Sequence, residues 1–276
     1  MTVTNARKIE GYSDISTAAL AQSSIINSIS RSDIIGTPGT TTVKVYVNEL
    51  ATIADYTPGT GIAVTDDGSS YVTINNLKEK GINELLDGVT IETAPRDYVI
   101  KRLDAAMKAK GQQVDIDGFA KMVADGNELV ASTGAKPTAS TIYDDLAAAA
   151  EKLDEANAPQ ANRFVVITPE MKRILTSVDS KIVLDTDKGD QILADAWIGK
   201  VGTFNVFMST LLPAGTNFIA GHKDAFVFAD AFKREVLLQS LDGSGTYIGD
   251  SAIQGRWAYV TGAVLPSLLQ INNGAA

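Results

Sequence analysis

Apolar and polar positions change period several times along the chain, and each change marks an element. The first thirty-five residues are polar and rich in Ser, Thr, Asn and Ala, with apolar residues in weak clusters (Ile15, Leu20, Ile25, Ile26, Ile29). That pattern predicts an extended or partly helical arm, and Gly36-Thr37-Pro38-Gly39 ends it because Gly and Pro stop a helix. Val43, Val45 and Val47 then alternate with Lys44 and Tyr46, which puts three valines on one face of a strand. Asp66-Asp67-Gly68-Ser69-Ser70 supplies turn side chains, and Tyr71-Val72-Thr73-Ile74 is β-branched and aromatic, so the two strands read as a long hairpin with a polar tip. Between them, Asp55-Tyr56-Thr57-Pro58-Gly59-Thr60-Gly61 has little apolar content, so the hairpin must pack on another body.

From Ala94 to about Ala124 the period is helical: Val99, Leu103 and Met107 recur every four residues, and Thr93 with Pro95 supplies a start. Gly111 and Gly118 each cost about 1 kcal/mol relative to Ala in a helix interior, which leaves a kink or break open there. The later stripe Val114, Phe119, Met122 and Val123 favours continuation. A second helix places Ile142, Leu146, Ala149, Ala150 and Leu153 on one face and Asp144, Asp145, Glu151 and Glu155 elsewhere, capped by Ser140 or Thr141. Arg163-Phe164-Val165-Val166-Ile167 reads as a buried strand delivered into Thr168-Pro169-Glu170, which is an N-cap, a first-position proline and a first-turn acid. Beyond Val178 the pattern predicts strands at 201–208, 218–220, 225–228 and 236–238, a loop at Gly243-Ser244-Gly245, and a long strand at 256–264 before Pro266. There is no internal repeat and no low-complexity tract.

Composition narrows the function classes. At 276 residues the chain can form one large domain or two smaller ones, and 45% hydrophobic with 21% charged residues is the balance of a folded chain. No run approaches the roughly 18 apolar residues that span a bilayer, and residues 1–30 lack a cationic start followed by an apolar block, so neither membrane insertion nor secretion is expected. The absence of cysteine excludes disulfides, thiolate nucleophiles, iron–sulfur clusters and cysteine-bound zinc. The single histidine, His222, excludes a multi-histidine metal site and leaves only carboxylate-held metal open. A formal charge of −9 repels polyphosphate and argues against sequence-reading nucleic-acid binding.

Candidate catalytic or ligand motifs do not mature. Gly59-Thr60-Gly61 and Gly243-Ser244-Gly245 resemble phosphate-loop openings, but Val64 and Ile248 stand where the third glycine is needed, and no Walker-type loop occurs. Asp185, Asp187 and Asp190 with Gly189 have the wrong order for a calcium loop, which makes a solvated turn the better reading. His222 has no accompanying nucleophile elbow and reads as a surface or loop-anchoring residue. The adjacent acids Asp66/Asp67 and Asp144/Asp145 read as solvated pairs.

The order of these segments resembles the major capsid protein of tailed bacteriophages, of the Hong-Kong-97 fold shared with encapsulins and herpesvirus shells. Thr42-Val43-Lys44-Val45-Tyr46-Val47, the Asp55-Tyr56 step and Val72-Thr73-Ile74 are similar to the family's E-loop. The helix at 94–124 falls where the family has its spine helix. Residues 163–170 with Leu175 resemble a peripheral-domain strand, proline and short helix. Residues 198–209 followed by Leu212-Pro213 are similar to the axial-domain hairpin, and 256–264 to the strand that returns to the peripheral domain. The resemblance covers about residues 36–269.

It implies an α+β fold with an N-terminal arm (1–35), an E-loop hairpin (36–80), a peripheral domain (81–177) with the spine helix, an axial α/β domain (178–248), and a return strand with a C-terminal tail (249–276). It also implies a non-enzymatic protein without cofactor or metal that assembles with itself as hexamers and pentamers around double-stranded DNA, making no sequence-specific contacts. The arm is too short to be a fused scaffold, so a separate scaffolding protein, or none, and a portal are expected as partners. Assembly in the bacterial host cytoplasm, a place in the virion and no membrane partner follow. Intersubunit contacts are expected from the arm and from Tyr56, Asp66, Asp67, Gly68 and Ser69. An encapsulin-type nanocompartment is the alternative, although the polar arm does not present the apolar groove a cargo-docking helix would. A carboxylate-based hydrolase would need clustered acids with raised pKa, and a β tail-tube protein would not carry the long helix.

Overall fold

The computed structural model describes residues 24–31, 43–47, 53–56, 58–59, 61–62, 70–94, 97–129, 136–177, 197–243 and 245–274. In chain order it comprises α1 (Ile26–Ile29), β1 (Val43–Val47), β2 (Ser70–Ile74), β3 (Leu77–Leu86), α2 (Gly88–Thr93), α3 (Tyr98–Asp125), β4 (Asn127–Glu128), α4 (Ile142–Glu155), β5 (Arg163–Ile167), α5 (Pro169–Leu175), β6 (Trp197–Val201), β7 (Phe204–Met208), β8 (Thr216–His222), β9 (Phe226–Ser240), β10 (Ser251–Ala263) and β11 (Leu269–Asn273). The strands form the β1–β2 pair, a three-stranded sheet β3-β10-β9 and a six-stranded sheet β4-β11-β8-β5-β7-β6. Gly36-Thr37-Pro38-Gly39, Asp66 to Ser69 and the Asp185 to Asp190 turn lie outside the described residues.

β5 shows why the six-stranded sheet holds. All five of its residues are buried, and a continuous apolar run of that kind suits a strand covered on both faces and flanked by β8 (antiparallel) and β7 (parallel). Ile142, Leu146, Ala149 and Leu153 of α4 join Phe164, Val165, Phe204, Phe218 and Ile219 in the main core. The strand ends as its sequence predicts: Thr168 Oγ1 accepts the Met171 N–H at 3.3 Å, and Pro169 opens α5. Arg163 is wholly buried, and its guanidinium ties β5 to the end of α4 through Asp154 Oδ1 and the Ala158 carbonyl, both at 2.6 Å.

The three-stranded sheet is covered differently on its two faces. Trp257 and Tyr259 of β10 meet α3, with Lys110 Nζ 5.8 Å above the Trp257 ring and Tyr259 donating to Asp117. The alternate residues Ala258 and Val260 pack with Val43, Val45 and Ile74, so the base of the β1–β2 hairpin sits on the opposite face.

α3 is continuous through 28 residues, about 42 Å, where its glycines had left a break open. The glycines have another purpose. Gly111, Asp115 and Gly118 follow at intervals of four and three and so share a face, along which residues 24–26 run. A Cβ on Gly118 would lie 2.7 Å from Ile26 Cδ1, whereas one on Gly111 would meet Ser24 Cβ at an ordinary 3.5 Å. Asp115, between them, accepts Ser24 Oγ at 2.7 Å, the Ile25 N–H at 3.0 Å and the Ile26 N–H at 3.1 Å. The described part of the arm, residues 24–31, is thus packed on its own subunit.

Other expectations change. The long helix starts at Tyr98, because Thr93 belongs to the separate helix α2, where its hydroxyl donates to the Val89 carbonyl at 2.7 Å. Residues 201–208 are two strands, not one: the chain reverses at Gly202, whose φ of +57° suits a tight turn. The segments at 225–228 and 236–238 fall, but for Ala225 in the turn before it, in one 15-residue strand, β9. The final long strand begins at Ser251, five residues earlier than its apolar run. Thr141 occupies the N-cap position of α4 but makes no side-chain cap; its hydroxyl instead accepts the Thr138 N–H at 2.9 Å. Asp145 is buried on α4 rather than solvated.

Candidate assembly surface

The strands of the β1–β2 hairpin bury only Val43, Val45 and Ile74. Its strands pair in the register Val43↔Ile74 to Val47↔Ser70, and the rings of Tyr46 and Tyr71 meet across them in a tilted contact with centroids 5.1 Å apart. Val43 and Val45 anchor its base, whereas Ile53 is 96% exposed and Tyr56 69%. Ile62 and Tyr71 are exposed as well. Large apolar side chains held in solvent mark a surface that another body can cover. Tyr56, expected as a contact residue, is among these exposed side chains, while Asp66, Asp67, Gly68 and Ser69 lie outside the described residues. Ile53 and Ile62 were not anticipated; Leu50, Ala51 and Ala54 flank the first and Ala63 and Val64 follow the second, so the sequence does not single them out as exposed.

A second exposed apolar group lies at the far end of the three-stranded sheet. Leu85 on β3, Leu237 and Leu238 on β9, and Ile248 in the β9–β10 connection are all more than 40% exposed. That end is braced from within. Gly88 N–H donates to Asp250 Oδ1 at 2.9 Å, and a Cβ on Gly88 would collide with the Gly249 carbonyl.

The ionisable groups build structure. His222 is buried, not at the surface, and anchors a loop: its Nδ1 accepts the Asp224 N–H at 3.2 Å. Burial pushes the Asp115 carboxyl above the usual carboxylate range against the opposing pull of Ser24 Oγ and the Ile25 and Ile26 amides. For Asp145, burial acts first and the neighbouring Asp144 second, both raising its pKa. Asp117 goes the other way. Burial alone would raise it, but hydrogen bonds from Lys78 Nζ (2.7 Å), Tyr259 and Gln113 Nε2 (3.1 Å) outweigh that and hold it low. Burial and the Asp117 charge in turn hold the Tyr259 phenol protonated far above its ordinary range. Asp115 and Asp117 belong to separate hydrogen-bond sets, and Asp145 is on α4. Among the described residues no three His, Asp or Glu side chains converge as a metal site, and no helix is long and apolar enough to cross a membrane.

No protein-family model and no curated protein matches the sequence. Solved structures do. A structure from Mycobacterium phage Che8 superimposes with a TM-score of 0.73 at 21% identity, covering 96% of both chains. The capsid structure of cyanophage P-SCSP1u gives 0.72 at 15% identity, over 96% of this chain and 92% of the other. The asymmetric unit of the mature capsid of bacteriophage PhiM1 gives 0.67 at 13% identity, over 96% and 91%. Over nearly its whole length, the chain therefore has the α+β fold of phage capsid structures.

Proposed function

We propose that this chain is a major capsid protein of a tailed phage, a structural subunit and not an enzyme. In this reading it assembles as hexamers and pentamers into an icosahedral head enclosing double-stranded DNA. The observation that carries it is the reciprocal, near-complete coverage by capsid structures: the likeness extends over the whole subunit and not one common module. The hairpin at 36–80 then serves as the E-loop, α3 as the spine helix of a peripheral domain at 81–177, and 178–248 as the axial domain. Residues 249–276 return to the peripheral domain. Tyr56 and the tip at Asp66, Asp67, Gly68 and Ser69 reach a neighbouring subunit. The acidic balance suits a container, since a wall with few cationic clusters does not trap the DNA it holds. A scaffolding protein and a portal act in assembly, which takes place in the bacterial cytoplasm.

Electron microscopy and sedimentation of the purified protein, expressed alone and then beside its neighbouring phage genes, test this. Closed shells, or hexamers and pentamers that close on adding a scaffold, are expected. A monomer or dimer under all of these conditions overturns it, and shell size separates a DNA container from a small cargo compartment.

A further inference from the structure

Between α4 and the β6–β7 turn lies a cavity of about 390 Å³. Its floor is apolar, with Leu146, Val201 and Phe204 buried there. One wall is a stripe of α4. Tyr143, Ala147, Ala150 and Asp154 follow at intervals of four, three and four, so they share a face of the helix. The two alanines keep the middle of that face low, and Gly202 with Thr203, in the tight turn, forms the opposite wall. A helix rises about 1.5 Å per residue, so the trough runs roughly 12 Å from Tyr143 to Glu151.

Charge is confined to one end. Glu151, Asp154 and Glu155 line the cavity there, and among the described residues no Lys or Arg lines it anywhere. Asp154 is met from the protein side by Arg163 at 2.6 Å, and Glu155 by Lys152 at 2.7 Å. Glu151 has no ion-pair partner among the described residues. The Thr203 hydroxyl oxygen, in the opposite wall, is buried and likewise without a hydrogen-bond partner. Tyr143 offers a half-exposed ring at the far end. An apolar trough ending in carboxylates selects an apolar chain with a cationic head. Burial along the trough holds the chain, and a charge-assisted hydrogen bond holds the head, whereas an anionic head meets repulsion from three carboxylates. We propose that this cavity binds a primary alkylammonium, its ammonium on Glu151 and its stem along Ala150 and Ala147 toward Tyr143. One subunit holds the whole site, so the assignment is independent of the shell reading.

Titration of the purified protein with hexylammonium, 1-hexanol and hexanoate at pH 7, followed by NMR, tests this. Hexylammonium should bind about tenfold more tightly than hexanol, the effect of one charge-assisted contact, and hexanoate should not bind. Intermolecular NOEs should connect its methylene protons to the methyls of Ala147 and Ala150. Glu151→Gln should weaken the amine about tenfold and leave hexanol unchanged, while Glu128→Gln, an exposed acid on β4, should change neither. Ala147→Phe, a substitution at an exposed position, should fill the trough and abolish binding while the urea midpoint stays that of wild type. Equal affinities for amine and alcohol overturn the assignment, as do NOEs to other residues, an affinity indifferent to Glu151→Gln, amine binding that survives Ala147→Phe, or no binding at all. Each of these outcomes leaves the shell reading intact, and a protein that never assembles leaves the cavity assignment intact.

Discussion

Asp115 is a buried anion whose task is local: it terminates the backbone donors at the start of α1 from a different helix, ninety residues along the chain. Asp115→Ala leaves the Ile25 and Ile26 amides without acceptors in a buried place. Each buried donor left unsatisfied costs about 1–3 kcal/mol, or roughly 2–6 kcal/mol for the pair. Ionised Asp115 itself opposes this, because its carboxyl is pushed up by burial, so removing the charge recovers part of the loss. The expected net effect is about 2–4 kcal/mol at pH 7, at the upper end of ordinary single substitutions. The pH dependence has a definite sign. A carboxyl whose folded pKa lies above its unfolded value binds more protons when folded, so its contribution weakens as pH rises from the unfolded value through the raised one. Urea unfolding of dissociated subunits from pH 4 to 8 measures both quantities, and hydrogen exchange locates them. Ile25 and Ile26 amides should lose protection while those of β5 keep theirs. A variant within about 0.5 kcal/mol of wild type, the scatter expected of an inconsequential surface change, with protected Ile25 and Ile26 amides would refute the reasoning.

Gly111→Ala and Gly118→Ala should move in opposite directions although both lie inside α3: the first gains up to about 1 kcal/mol of helix propensity. The second gains the same but must displace Ile26 from a fully buried site, for a net loss of about 1–2 kcal/mol; equal shifts in urea midpoint would contradict the packing described. Asp117→Asn should lower stability at pH 7 and flatten its decline in acid. Asp117 is held below its unfolded value, so its contribution is present above about pH 4 and is lost as pH falls through the lowered pKa. Tyr259→Phe should cost about 1.5–3 kcal/mol by removing one donor to that carboxylate, read from the same melts.

What could be read from the sequence was what depends on neighbours in the chain. β5, the Thr168 cap, Pro169 and the stripe on α4 all declare themselves within about a dozen residues, and each strand of the β1–β2 hairpin does so by its own alternation or branching. β3 does not. Leu77-Lys78-Glu79-Lys80-Gly81 shows neither alternation nor branching, and its charges become intelligible only with their partners in place: Lys78 on Asp117, Glu79 on Arg256, Glu84 on Arg102. The glycines of α3 were visible, but their reason, the close passage of Ile26, is tertiary. The burial of Asp115 and Asp145 likewise depends on what packs over them. Tyr56 stands in the sequence as an aromatic residue in a polar segment, but its exposure depends on what the rest of the fold leaves uncovered.

The pairing of β3 has a consequence for how the chain is made. Its ten residues find their partners only in β10, from Leu77↔Val260 to Leu86↔Ser251, separations of 165 to 183 residues. At about 5–20 residues per second, the ribosome leaves β3 without a partner for roughly ten to forty seconds. A smooth apolar strand would spend that interval seeking the same strand on other nascent chains. Lys78, Glu79, Lys80 and Glu84 keep it in water until β10 emerges. The charges that hide this strand from pattern reading are those that allow it to wait.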